Sequence, residues 1–147
     1  MNVRLASVWD IDLLVPLFDA YRQFYKQPSD IGAARSFLKE RFEHQQSIIL
    51  MAIEDGEALG FTQLYPAFSS TRLARTLILN DLFVASDARK RGVGRALLDA
   101  ARDYGNRIGA VRLSLSTAIG NTTAQRVYED AGWTRDEQFY AYGIALA

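Results

Sequence analysis

The chain of 147 residues carries 17 basic and 17 acidic side chains, a formal charge of zero and a pI near 6.6, so no global field favours nucleic acid, an anionic membrane or an acidic ligand. It has no cysteine and a single histidine, His44, which excludes disulfide scaffolds, thiolate nucleophiles and multi-histidine or cysteine-ligated metal centres. A composition that is 49% hydrophobic and 12% aromatic fits one compact domain over residues 1–147, with a sizeable core.

The first residues lack the apolar stretch of a signal peptide, and no segment approaches the roughly 20 apolar residues of a membrane span, so a cytoplasmic protein is expected. Val3, Leu5 and Ser7 alternate with polar neighbours and predict a short strand. Residues 7–10, Ser-Val-Trp-Asp, resemble a capping box, and a helix should start near Trp9. Ile11, Leu14, Val15, Phe18 and Tyr25 follow helical spacing, with Pro16 inside, which predicts a kink or a later start. A second helix is predicted over residues 30–45, with Ile31, Ala34, Phe37, Leu38 and Phe42 on one side. Residues 47–54 read as a buried strand, Asp55-Gly56 as a hairpin turn and residues 57–65 as the returning strand, followed by a loop over 66–75. Residues 76–84 form an apolar central strand interrupted only by Asn80 and Asp81. A helix over 92–108, a strand over 111–117, a helix over 122–131 and a last strand around 139–146 complete a mixed α/β chain.

Two segments carry chemistry. Residues 84–95 join the central strand to the long helix, so unpaired N–H groups point outward at the helix start. Gly92 and Gly94 let the main chain approach an oxygen-rich ligand, while Arg89, Lys90, Arg91 and Arg95 supply local positive charge. A diphosphate fits this chemistry; an ordinary solvated basic turn fits the residues as well. Neither the Gly-Lys-Ser/Thr of a Walker loop nor a three-glycine dinucleotide fingerprint is present, and the arginines have no RNP-like aromatic strand beside them. In residues 120–133, Thr122 and Gln125 make a second capping-box pattern and Gly132 suits a helix end. Ala124, Val127, Tyr128 and Ala131 share a face, which alone would make Tyr128 a half-buried packing aromatic.

Arg89-Lys90-Arg91-Gly92-Val93-Gly94 resembles the Arg/Gln-x-x-Gly-x-Gly/Ala acyl-CoA motif of the GCN5-related N-acetyltransferases, and residues 121–133 match that family's Asn-x-x-Ala-x-x-x-Tyr-x-x-x-Gly-Phe/Trp signature. The resemblance covers nearly the whole chain. It implies a mostly antiparallel mixed sheet of six to seven strands with a splayed parallel pair and about four helices. It further implies acetyl-CoA as co-substrate, no metal, a small-molecule amine as partner and a homodimer, dimers being common in the family. By that resemblance the amides of residues 90–95, Val93 among them, hold the pyrophosphate. The main chain of Phe83 and Val84 pairs with the pantetheine arm, Asn121 contacts that arm, and Tyr128 protonates the departing thiolate as general acid.

A protonated alkyl amine must lose its proton before attacking, and Asp81, flanked by Leu79, Leu82 and Phe83, is the first candidate base, with Glu54 behind it. A water-mediated route leaves no single base essential. Residues 79–84 are similar to the corresponding strand of the polyamine and diamine acetyltransferases, with Asn80 in place of their glutamate. Plain alternation sends Asn80 and Asp81 to opposite faces; a bulge of the kind common in the family would re-aim them. Tyr21, Phe24 and Tyr25 with Asp30 could wall a substrate ammonium, or the rings could simply pack between helices. The expected activity is acetyl transfer to a small primary amine. A peptide N-terminal or lysine acetyltransferase and a non-catalytic acyl-CoA-binding module are the alternatives.

Overall fold

The computed structural model describes all of residues 1–147, which run β1 (Asn2–Leu5), α1 (Ile11–Phe24), α2 (Ile31–Glu43), β2 (Ile48–Glu54), β3 (Glu57–Ser69), β4 (Ala74–Val84), α3 (Val93–Arg107), β5 (Arg112–Ser114) and α4 (Thr122–Asp130). The strands make one sheet in the order β1-β2-β3-β4-β5, antiparallel except for the parallel β4–β5 pair. There are five strands rather than six to seven. The strand expected around 139–146 does not form, because β5 ends the sheet and that segment finds no ladder within its own chain. No helix is long and apolar enough to cross a membrane.

The apolar run of β2 is explained by cover on both faces. Ile49 and Met51 pack with Leu14, Phe18 and Leu38 under α1 and α2, while Leu50 and Ala52 pack with Leu97 and Ala101 under α3. The sheet thus separates two buried layers, a three-layer solution to hiding both faces. The Ser7 capping box is present, but it caps a 3-10 turn (Val8–Asp10), and α1 starts only at Ile11. Pro16 is accommodated inside α1. The turn between α1 and α2 is fastened by the buried Asp19 carboxylate, which accepts from the Ser29 hydroxyl (2.6 Å) and the Asp30 N–H (2.8 Å).

The loop expected over 66–75 is instead a long hairpin arm, with Pro66 opposite Leu77 and Ser69 opposite Ala74. Pairing with β2 stops at Ile48–Leu64, so beyond it β3 has a partner on one side only. A proline without an N–H is tolerated on such an edge. At the other end of the arm, Gly60 is required by close approach, since a Cβ there would stand 2.7 Å from the Phe83 carbonyl oxygen.

Arg4 grips Asp10 with two bonds of 2.9 and 2.7 Å and holds its carboxyl down at about 2. A depressed folded-state pKa adds stability that is complete above the ordinary value of 3.8 and is lost as pH falls towards 2. Asp10→Asn should therefore cost about 1.5–3 kcal/mol at neutral pH. Melts across the acid range check the sign: the gap between wild type and variant should close between about pH 4 and 2.

Candidate active site

Across the β3–β4 ladder Gln63 pairs with Asp81 but Leu64 pairs with Leu79, so Asn80 is the extra residue of a bulge. Before it, Leu77 and Leu79 face the α3 layer; after it, Phe83 faces the α1 layer. The phase of the strand changes at Asn80. Asn80 and Asp81 consequently line the same cleft, of about 350 Å³, and plain alternation fails at this point. The Asn80 amide donates to the Asp81 carboxylate at 2.8 Å.

Phe18 and Tyr21 of α1, Phe37 of α2 and Tyr65 of β3 wall the cleft, with Arg22 on its lining. Asp81 is only 3% exposed and also accepts from the Gln63 amide. Gln63 is fully buried and held at its other end by the Ser47 hydroxyl (2.8 Å). Burial pushes the Asp81 carboxyl above its ordinary range, against the pull of hydrogen bonds from Gln63, Asn80 and Tyr21. Burial and the Asp81 charge push Tyr65 up to about 12 and move Tyr21 the same way. The Tyr21 hydroxyl donates to the Asn80 carbonyl (3.3 Å), and Tyr25 packs edge-on against Tyr21, with centroids 5.1 Å apart. Asp30 stands outside this cleft. Its carboxylate caps α2, accepting from the Ala33 N–H at 3.0 Å. Phe24 packs against Phe83 and Tyr25 rather than lining the cleft.

Gln63, Ser47 and Tyr65 were not legible as site residues from sequence patterns. The available signal was the polar pair Thr62-Gln63 inside an apolar strand, matching the polar pair Asn80-Asp81 in the next one. Glu54 lies elsewhere: it is ion-paired with Arg91 and with the amino terminus (3.5 Å), and the Arg91 guanidinium lowers its pKa. That environment suits a fixed anion rather than a base.

Two residues beyond Asp81, the Phe83 ring lies 6.0 Å from Tyr21 and carries the Arg89 guanidinium 5.6 Å above it. Arg89 also donates to the Val84 carbonyl (3.1 Å), so an arm pairing there would exchange one donor for another. The turn that follows puts Lys90 (φ 63°) and Gly92 (φ 79°) in the left-handed region. None of the N–H groups of residues 89–95 is hydrogen-bonded within the chain, and the first helical bond of α3 is from Ala96 to the Gly92 carbonyl. With Lys90 and Gly92 left-handed, these free amides stand at the positive end of a 15-residue helix, a backbone arrangement of the kind that makes an anion nest. The nest fits a diphosphate. Of the side-chain charges, Arg91 is tied to Glu54 and Arg95 to Asp99 (3.0 Å), whereas Lys90 forms no salt bridge.

Asn121 is the N-cap of α4, its side-chain oxygen accepting from the Ala124 N–H at 3.2 Å. Tyr128 is half-buried beside Trp133, and its hydroxyl bonds to no other residue. Burial first, and then the nearby Tyr25, raise its pKa, so it remains a phenol at neutral pH.

The GNAT acetyltransferase family model matches residues 14–133, which include the cleft, the nest and Tyr128. The chain belongs to that family. It is an acyl-CoA-dependent acetyltransferase, and GNAT enzymes use acetyl-CoA. It is 49% identical over 142 residues to the uncharacterized N-acetyltransferase YhfO of Bacillus subtilis, covering 97% of this chain and 95% of that protein. A crystal structure of a probable acetyltransferase, 40% identical, superposes with a TM-score of 0.96 over 100% of this chain and 99% of its own. An aminoglycoside N(6')-acetyltransferase of Klebsiella aerogenes is 28% identical over 104 residues, 69% of this chain and 68% of that protein.

Removing the Gln63 donor should raise the Asp81 pKa. For Gln63→Leu the carboxyl should titrate at higher pH than in the wild type, because one hydrogen bond to the charged form is lost. Carboxyl NMR titration of the free enzyme reads it; an unmoved midpoint would mean that Gln63 does not hold the carboxylate.

Proposed function

We propose that the protein transfers the acetyl group of acetyl-CoA to the primary amine of a small molecule with an apolar or aromatic body. One observation carries this reading: the buried Asp81 carboxylate opens into an aromatic-walled cleft, and the Tyr21 and Phe83 rings lead from it to the amide nest before α3. An ammonium of pKa about 10.4 must give up a proton at a cost of roughly 4–5 kcal/mol at pH 7. Asp81 accepts it, directly or through water, and its raised pKa makes it a better base than an ordinary carboxylate. The bound thioester would supply an activated acetyl carbon, to which the freed amine nitrogen bonds as the carbon–sulfur bond breaks, the nitrogen then releasing its second proton to water to leave the neutral amide. Tyr128 donates its phenolic proton to the leaving sulfur and is reprotonated from water. Residues 89–95 hold the diphosphate by main-chain N–H groups, while Phe83, Val84 and Asn121 position the arm. A backbone N–H near Phe83 polarises the thioester carbonyl.

The cleft favours a monoamine over a polyamine. It holds one carboxylate, Asn80 stands where the diamine branch has glutamate, and Arg22 adds a cation to the lining. Its cover by α1 and α2 supports a small acceptor over a peptide chain.

A panel of monoamines, amino acids, polyamines, aminoglycosides and peptides, read by thiol release from acetyl-CoA, tests the reading. Aromatic or apolar monoamines should turn over fastest; preferred release with peptides would favour the protein-modifying alternative, and release with none would favour a binding module. Tyr128→Phe should lower kcat by about 10²-fold with coenzyme A affinity retained. Asp81→Asn should lower kcat/KM by a similar factor, about 10²-fold, and remove the acid limb of its pH profile, because the wild-type base is lost as pH falls through its raised pKa. A Cβ at Gly94 meets only a Val84 methyl, at 3.9 Å, so Gly94→Leu should fold normally yet cover the nest. Calorimetry should show coenzyme A binding weakened at least tenfold.

A further inference from the structure

Two charged side chains line the cleft beneath α1 and α2, and they do not pair with each other. Asp81 comes from β4, its oxygens taken by the Gln63 and Asn80 amides. Arg22 comes from α1, is half-buried, and forms no ion pair with any carboxylate of the chain. Its Nη1 donates to the Pro28 carbonyl at 3.2 Å, which steadies the head, while its other N–H groups bond to nothing in the chain. Asp19, one turn back on the same helix, is already occupied by the Ser29 hydroxyl, the Asp30 N–H and the Gln23 amide (3.0 Å). Arg35 and Arg41 of α2 are ion-paired with Asp12 (2.7 Å) and Glu40 (3.2 Å), and neither is on the lining. Arg22 is therefore a partly desolvated cation with unused donors and no anion.

The rest of the lining is mostly aromatic. Phe18 and Phe37 stack with centroids 5.7 Å apart, and Tyr21 and Tyr65 complete the walls. At about 350 Å³ the cleft lies at the small end of the range that ligand pockets span. A molecule filling it meets a carboxylate, a guanidinium and ring faces at once. The guanidinium is a planar fork whose geometry matches a carboxylate, and such a pair is stronger where water is partly excluded. A plain amine, by contrast, brings a second cation into a cleft that already holds one.

Resting on the reading of this cleft as the acceptor site, we propose that the amine acetylated here also bears a carboxylate. The acceptor is a free amino acid with an aromatic or apolar side chain, its amino group at Asp81 and its carboxylate on the Arg22 guanidinium. This narrows the monoamines to those that are zwitterions, whose two charges match the two the cleft presents. Arg22 is then a specificity residue: it selects and orients the acceptor and takes no part in making or breaking bonds. A polyamine leaves Arg22 facing a cation, and a residue inside a peptide has no carboxylate to offer it.

Acceptors that share a body and differ in the anionic group provide the test: phenylalanine in both enantiomers, its amide and phenethylamine, and the same series built on leucine, each read by thiol release from acetyl-CoA. In at least one series the acid should exceed both neutral-tailed compounds in kcat/KM by about tenfold or more, mainly through KM, as one charge-assisted pair requires. In Arg22→Gln that ratio should fall towards one, and Arg22→Lys, which keeps the charge but loses the fork, should keep part of it. A merely structural role would lower all three acceptors together and leave the ratio intact. Calorimetry needs no turnover: with coenzyme A present, N-acetylphenylalanine or N-acetylleucine should bind about tenfold more tightly than its amide, and Arg22→Gln should abolish the difference. Transfer to plain amines with no gain from the carboxylate overturns the inference and leaves the acetyl-transfer reading standing. Absence of transfer to any amine overturns that reading instead, and equal binding of the acid and amide products overturns the Arg22 subsite in either case.

Discussion

The extra residue at Asn80 sets the geometry on which the site depends. In a strand of a sheet with helices on both sides, a one-residue insertion reverses which side chains point to which layer, and β4 makes that reversal between Leu79 and Asp81. Leu77 and Leu79 can then serve the α3 core while Asp81 and Phe83 serve the α1 side. Asn80 is released to the cleft, where its amide reaches the neighbouring carboxylate. Without the bulge, either Asp81 or the leucines before it would face the wrong layer. The buried acid is tolerable because its oxygens are met by Gln63 and Asn80 and because the remaining desolvation is expressed as a raised pKa rather than as an unpaired charge.

Zero net charge conceals a marked local arrangement. Arg91 and Arg95 are ion-paired with Glu54 and Asp99, which leaves the free amides with Lys90 and Arg89 as the positive groups of the turn that meet no carboxylate. Lys90 and Gly92 both take left-handed backbone conformations, which at Lys90 carries a conformational cost that the surrounding fold must meet.

The elements that build the two layers were legible because their periodicity is strong. The α3 pattern of Val93, Leu97 and Ala101, the two-sided run of β2 and the Asp55-Gly56 turn all appear where local spacing puts them. The glycine-spaced turn before α3 and the Asn121-capped helix α4 were legible through paired motifs. Three features were not, each because a partner distant in sequence decides them. Pro66 looked like a strand end, but its freedom depends on β2 having stopped at Ile48. Gln63 looked like one more residue of a buried strand, and only the pairing with Asp81 gives it a role. The sequence over 139–146 predicts a strand, yet a strand needs an edge, and its own sheet supplies none that it reaches.

The sheet also divides the molecule's obligations. The cleft walls Phe18, Tyr21 and Phe37 belong to the α1–α2 layer, whose connecting turn is fastened by Asp19 alone among the buried acids. The nest and Tyr128 belong to α3 and α4 on the opposite side. Substitutions in the first layer can reshape the aromatic cleft without disturbing the free amides before α3. A lineage built this way can change what it modifies while keeping how it modifies, one helix face at a time.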